Sequence, residues 1–266
     1  MGDIVGDRLQ GYYDAELFQE NGNNSVWPPV DKTLGEPATV IGDLGGITLE
    51  SEQNINPSTG LPVRNFYLST NDQGLRAPVL RGSPMSLAVS YTQQVWVRIT
   101  GFNTFNGIMD FSPNESYAMY WEDSPLPGFI YMSETGSSVA GNAAMPAGTG
   151  TPGAPWVNVA ITFNSTGVEA TSTLNIYING VLASGPITGG NGTGPAAAGD
   201  IRFIYFLTAA TDTGTEYGFE GDLAIAMLYD RALSATEVLQ NYGNQAGRFG
   251  LLSAFTGTNS EIVLGF

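Results

Sequence analysis

An all-β sandwich is the fold class that the sequence predicts, and three observations predict it. Short segments alternate apolar and polar residues with a period of two, most clearly in the second half of the chain. Asn179-Gly180 joins two such segments at hairpin spacing, and this dipeptide tolerates the positive φ angles of a type I′ turn. Charged residues make up only 13% of the 266-residue chain, which carries 35 Gly and 15 Pro. That composition suits turns and loops better than long helices. With 42% apolar residues there is enough for one large core, and nothing in the chain marks a second domain.

Taken in order, residues 1–11 read as an N-terminal arm, 12–251 as the sandwich and 252–266 as a C-terminal tail. Early strands are expected at 87–91, 95–100, 117–121 and 129–132. Val157, Val159, Ile161 and Phe163 then alternate with Asn158, Ala160 and Thr162, and Leu174, Ile176 and Ile178 with Asn175 and Tyr177. Residues 201–207 are apolar on both faces apart from Arg202, as expected of a strand inside a sandwich. The last strand sets Leu223, Ile225, Met227 and Tyr229 against Ala224, Ala226 and Leu228, so the alanine side should admit a close neighbour. Ser234-Ala235-Thr236-Glu237 has capping-box spacing and opens one short helix with Val238, Leu239 and Tyr242 as its apolar stripe. That helix is expected to plug one end of the sandwich. Stretches 21–39, 133–155 and 184–199 read as long loops.

The composition excludes several chemistries. Cysteine and histidine are absent, which removes disulfides, thiolate nucleophiles, cysteine zinc sites and any Ser-His-Asp triad. Twenty-five acids stand against nine bases, for a net charge of −16. Phosphate binding needs clustered Arg and Lys, so nucleic acid and anionic membranes are not expected partners. No apolar run is long enough to span a bilayer, and Met1-Gly2-Asp3-Ile4-Val5 lacks the features of a secretory leader.

Three segments carry a family resemblance. They are Trp156-Val157-Asn158-Val159-Ala160-Ile161-Thr162-Phe163, Leu174-Asn175-Ile176-Tyr177-Ile178-Asn179-Gly180-Val181, and Phe219-Glu220-Gly221-Asp222-Leu223-Ala224 leading to Tyr229-Asp230-Arg231-Ala232-Leu233-Ser234. Together they resemble the laminin-G-like, concanavalin A-like lectin/glucanase superfamily, in which a Trp-led strand, a Tyr-x-Asn-Gly hairpin and a strand exit into a capped helix follow one another. Tyr12-Tyr13-Asp14-Ala15 with Trp27, and Gln94-Val95-Trp96-Val97-Arg98, are similar to its opening segments. Asn241 to Leu251 is similar to the ends of such domains in bacteriophage virion proteins and in environmental bacteria. The resemblance implies a concanavalin A-like jelly-roll sandwich across residues 12–251.

Candidate sites follow from residue type. The glucanase branch uses a Glu-x-Asp-x-x-Glu strand to bring two carboxylates within the short spacing of retaining hydrolysis. Here Glu220-Gly221-Asp222 is followed by Ile225 where the third acid should stand, and solvated carboxylates at a strand entry are the expectation. No enzymatic activity is expected. Many relatives hold calcium through loop aspartates, and oxygen donors suit a hard cation. Asp72, Asp110, Asp123, Asp212 and Asp222 are the candidates, with carboxylates that only cap turns as the competing reading; Asp14 is expected to satisfy backbone beside its strand. A sugar would need an aromatic platform beside polar groups, and Tyr117, Tyr120, Trp121, Glu122 and Asp123 form the densest such set. The competing reading is a strand with an aromatic core stripe. Trp96 and Trp156 are expected in the core.

Taken together, these features lead to a non-enzymatic structural component of a bacteriophage particle: a capsid decoration, tail or fibre subunit assembled in the host cytoplasm. Its partners would be copies of itself, other virion proteins and host-surface glycans, with contacts through the long loops and residues 1–10. The alternatives are a carbohydrate-binding or adhesion module of a bacterial surface protein and, third, a polysaccharide hydrolase.

Overall fold

The computed structural model describes residues 4–19, 21, 24–31, 35–41, 48–55, 62–70, 74–101, 106–112, 118–122, 128–132, 142–168, 171–188, 203–207, 209–211, 214–216 and 219–251. The strands are β1 (Leu9–Asp14), β2 (Val26–Trp27), β3 (Ala38–Ile41), β4 (Thr48–Ile55), β5 (Pro62–Thr70), β6 (Gly74–Pro78), β7 (Tyr91–Ile99), β8 (Asn106–Ser112) and β9 (Ala118–Glu122). They continue with β10 (Gly128–Met132), β11 (Asn142–Ala144), β12 (Val157–Asn164), β13 (Thr173–Ile178), β14 (Val181–Thr188), β15 (Phe203–Phe206), β16 (Ala209–Thr211), β17 (Gly214–Glu216) and β18 (Gly221–Tyr229). One α-helix, α1 (Ala235–Ala246), follows.

Two antiparallel sheets face each other. The first runs β14-β13-β12-β7-β18-β5-β4 with β1 also beside β18; the second runs β11-β10-β9-β8-β15-β6-β3-β2. β16 and β17 form a separate hairpin. One edge of β18 is shared: Gly221–Leu223 pair with β5, and the stretch from Ile225 to Tyr229 pairs with β1. The β13–β14 turn has Asn179 at φ 50° and Gly180 at φ 77°, as the hairpin reading requires.

The alternation of β12 and β13 holds. Val157, Val159, Ile161, Phe163, Leu174 and Ile176 face the inter-sheet core with Val95, Val97, Leu75, Met119 and Phe206. At one end Tyr13, Trp27 and Phe206 pack with ring centroids 5.0–5.3 Å apart.

Several expectations are corrected. Helix α1 does not plug an end of the sandwich; it lies on the outer face of the first sheet. There Val238, Tyr242, Ala246 and Phe249 make a second core with Trp96, Trp156, Ala160, Tyr177, Ile225, Met227 and Tyr229. Both tryptophans are buried as expected, under the helix rather than between the sheets. The faces of β18 also differ from simple alternation. A bulge between Leu223 and Ile225 makes Leu223, Ala226 and Leu228 core-facing, while Ala224, Ile225, Met227 and Tyr229 meet the helix. Residues 85–87 form a 3-10 turn and the strand there starts at Tyr91, because Pro84 and Ser83 cap a tight turn before it. The segment given to an arm is packed: Val5 and Leu9 belong to the helix-side core, and β1 begins at Leu9.

Gln94, Asn158, Tyr229 and Asn241 at the helix–sheet interface are fully buried and hydrogen-bonded. Asn241 donates through Nδ2 to Gln94 Oε1 (2.9 Å) and Tyr229 Oη (3.0 Å), and its Oδ1 accepts from Val5 N (2.8 Å). Gln94 Nε2 donates to Asn158 Oδ1 (2.9 Å) and Val238 O (3.3 Å), and Asn158 Nδ2 donates to Val95 O (3.1 Å). Trp96 Nε1 donates to Gln245 Oε1 (2.7 Å), while Tyr242 and Phe249 stack on its ring. Burial pushes the Tyr229 hydroxyl well above its ordinary value, so it stays protonated and donates to Val5 O. The capping box forms as expected, with Glu237 N donating to Ser234 Oγ and Ser234 N to Glu237 Oε2.

Asn241→Leu would leave the Val5 N–H and Gln94 Oε1 buried without their partner. A loss on the order of 3 kcal/mol is expected, since each such group costs about 1–3 kcal/mol. Urea unfolding measures it, and a change below about 0.5 kcal/mol would show that the network does not hold the helix. A second expectation concerns acid. The Arg231 guanidinium fork on Glu237 (2.6 and 2.9 Å) is the main cause that holds its carboxyl down from 4.5 to about 2. A depressed carboxylate stabilises above its unfolded pKa, and that contribution fades as pH falls from about 4.5 towards 2. The melting-temperature gap between wild type and Glu237→Gln should therefore be constant at neutral pH and close through that window.

Candidate functional site

Helix α1 packs on β7, β12, β13 and β18 of the first sheet, and the outer face of the second sheet carries a different set of side chains. Core anchors fix which residues point outward. Leu75 and Ala77 are buried between the sheets, so Arg76 of β6 faces out; Ile204 and Phe206 are buried likewise, so Phe203 and Tyr205 of β15 face out. Register places these residues in a row. Thr39 of β3 is opposite Arg76, Arg76 opposite Tyr205, and Tyr205 opposite Asp110 of β8. The Arg76 guanidinium lies 4.5 Å over the Phe203 ring, and Phe203 meets Tyr205 edge-on at 6.2 Å. Thr39 is exposed, Arg76 and Phe203 are half-buried, and Tyr205 and Asp110 are buried. The row thus runs from an open polar end to a closed acidic one.

The residues expected from sequence fall in different places. Tyr117 and Asp123 lie outside the described residues. Positions 120, 121 and 122 are in β9. Met119 of the same strand is buried in the inter-sheet core, and the side chains at 120–122 lie outside the described residues. The sequence reading missed Arg76, Phe203 and Tyr205, since 201–207 looked apolar throughout and Arg76 sits between residues with no polar pattern.

Of the cation candidates, Asp72, Asp123 and Asp212 lie outside the described residues. Asp110 and Asp222 are on different sheets. Asp222 is not solvated as expected: its Oδ2 accepts from Arg98 Nε at 2.7 Å, and Arg98 also lies over Trp156. Its neighbour Glu220 is half-buried, its carboxyl resting over Gly101, where a Cβ would collide with it. Asp14 does serve its own backbone, accepting from Glu16 N at 3.0 Å, and it also binds Arg248 at 2.6 Å. Among the described residues, no group of three or more Asp or Glu converges on one point.

A separate cleft of about 180 Å³ opens where β1 and the end of β6 meet, lined by Gln10, Tyr13, Glu36, Leu80, Ser83 and Met85 among others. It is small beside ligand pockets of roughly 300–1,000 Å³. The Tyr13 hydroxyl on its wall already donates to Glu36 O at 2.7 Å. No helix among the described residues is long and apolar enough to cross a membrane.

Two face-to-face antiparallel sheets define a lectin-like β sandwich. The chain belongs to the concanavalin A-like lectin/glucanases superfamily, whose Laminin_G_3 model matches residues 69–239, well over half of its length. No curated protein matches the sequence. Among solved structures, domain 4 of the Geobacillus stearothermophilus GH43 extracellular arabinanase AbnA, in complex with arabinotriose, is similar. Its TM-score is 0.58 at 16% identity, over 88% of this chain and 98% of that one. Trypanosoma rangeli sialidase in complex with sialic acid gives 0.58 at 14% identity, over 92% of this chain and 34% of its own. The binding domain of botulinum neurotoxin DC in complex with SialylT gives 0.54 at 17% identity, over 90% and 52%. The chain thus spans about a third of the sialidase and about half of the toxin domain. At these identities the likeness is one of fold.

Proposed function

We propose that the chain is a non-enzymatic glycan-recognition domain whose binding face is the β3–β6–β15 part of the second sheet. The observation that carries this is the half-buried Arg76–Phe203 pair on the outward side of β6 and β15, an aromatic ring and a donor fork side by side. Structural neighbours are themselves solved with arabinotriose, sialic acid and SialylT, which agrees with a sugar as ligand. The state of the carboxylates supports a binding role over a hydrolytic one. Asp14, Asp222, Asp230 and Glu237 are each engaged by an arginine, which suits structure better than acid–base work. Loss of the Phe203 ring removes the platform, so Phe203→Ala should weaken glycan binding roughly tenfold or more in calorimetric titration. Unchanged affinity would move the site off this face.

The setting we propose is the surface of a bacteriophage particle, where the chain packs with copies of itself and with other virion proteins. The similarity of Asn241 to Leu251 to the ends of phage virion domains supports this setting. Light scattering tests it: a defined oligomer is expected, and a monomer at all concentrations would favour an adhesion module of a bacterial surface instead. Calcium has no role in this proposal. Chelation with EDTA is expected to leave the melting temperature unchanged; a fall reversed by calcium would show that the protein holds a cation and would overturn this part of the proposal.

A further inference from the structure

The chain has 25 acidic residues and nine basic ones, so a half-buried cation without an acidic partner stands out. Four of the described arginines are clamped to carboxylates: Arg8 to Asp230, Arg98 to Asp222, Arg231 to Glu237 and Arg248 to Asp14, at 2.6–2.7 Å. Arg81 is exposed on the turn after β6. Arg76 differs from all of these. Among the described residues it has no ion pair and no hydrogen bond; its single specific contact is the face of Phe203, 4.5 Å from ring centre to guanidinium carbon.

That contact has a chemical consequence. A guanidinium held over a ring face spends no N–H group in a hydrogen bond there, so its donors stay available to an acceptor. The ring also restricts the side chain, so less rotamer freedom is lost when an anion is taken. The two N–H edges match the two oxygens of a carboxylate in a parallel pair of charge-assisted hydrogen bonds. Exposed Thr39, opposite Arg76 in the ladder, adds a hydroxyl at the same end of the row. A neutral sugar would not need such a group, and a protein of net charge −16 repels acidic ligands unless one is provided locally.

We infer that this face selects acidic glycans, with Arg76 as the residue that receives the sugar carboxylate and Phe203 as the ring that holds Arg76 in place. The inference rests on the proposed glycan-binding face and names the class of sugar it takes. Arg76→Lys would keep the charge and lose the planar fork, so a carboxylate ligand should notice even this change.

A glycan array holding neutral, uronate-bearing and sialylated oligosaccharides, probed with wild type, Arg76→Gln, Arg76→Lys and Phe203→Ala, tests the inference. Melting temperatures measured alongside establish that each variant is folded. The expected result is binding to carboxylate-bearing glycans that falls roughly 10- to 100-fold in Arg76→Gln and partly in Arg76→Lys, and is restored by neither. Methyl-esterified forms of the same sugars should bind equally poorly to wild type and Arg76→Gln. Binding of neutral glycans alone, lost in Phe203→Ala but untouched in Arg76→Gln, would overturn the acidic preference and leave the face as a glycan site. Acidic binders that survive both the Phe203 and Arg76 substitutions would overturn the inference and the face together, as would an array with no binder at all.

Discussion

The buried amide layer between helix α1 and the first sheet is the constraint on which the rest of the architecture depends. Gln94, Asn158, Asn241 and Gln245 are carried by two strands and the helix, and a buried amide without partners would be costly. Here they partner each other, Trp96, Tyr229 and the backbone of Val5 and Val238, which leaves the helix a single seat. The layer brings together the beginning of the chain, a strand from its middle and its C-terminal helix. Aromatic stacking of Tyr242 and Phe249 on Trp96 supplies the apolar half of the same contact. The helix thereby occupies the outer face of the first sheet over β7, β12, β13 and β18, while Val181 and Leu182 of β14 stay exposed.

Arginines serve the same end at the periphery. Arg8–Asp230, Arg98–Asp222 and Arg248–Asp14 join residues 222, 124 and 234 positions apart. Such pairs add little net stability when burial removes water from both partners. Their value is positional: each fixes where a distant segment meets the sheet, and separating the partners would strand a carboxylate in a chain already dense in negative charge. Arg76 stands apart from these pairs, set over a ring instead of a carboxylate, and that difference carries chemical meaning.

What was legible in the sequence was what depends on near neighbours. The β12–β13–β14 meander shows through Val157 to Phe163 and Asn179-Gly180, and the helix start shows through Ser234 and Glu237, because alternation, turn chemistry and capping act over a few residues. The seat of the helix was not legible, since Gln94, Asn158 and Asn241 find each other only after the sheet has formed. The bulge at Ala224 was hidden too: one extra residue reverses the faces of everything after it, and a string of Ala, Ile, Met and Leu gives no sign of it. In the aromatic segment around Trp121, a dense run of ring residues suggested a site, yet a strand divides such a run between two faces. Tyr117 and Asp123 fall outside the described residues, and of the strand that follows, Met119 enters the inter-sheet core.

The binding face owes its character to residues that hardly look functional. Leu75 and Ala77 are ordinary core residues, and by entering the core they turn Arg76 outward; Ile204 and Phe206 do the same for Phe203 and Tyr205. Ladder register then sets Arg76 directly beside Tyr205, with Phe203 a step along the strand and within stacking reach. A one-residue slip of β6 against β15 would break this set while leaving both strands folded, so the specificity of the face is a property of register as much as of residue type. Relatives that share the sandwich at 14–17% identity keep the layers and the ladders, and those layers can present a different outward row in each. On the proposed reading the fold supplies a platform of fixed spacing, and the outward residues of three neighbouring strands would decide which sugar it accepts.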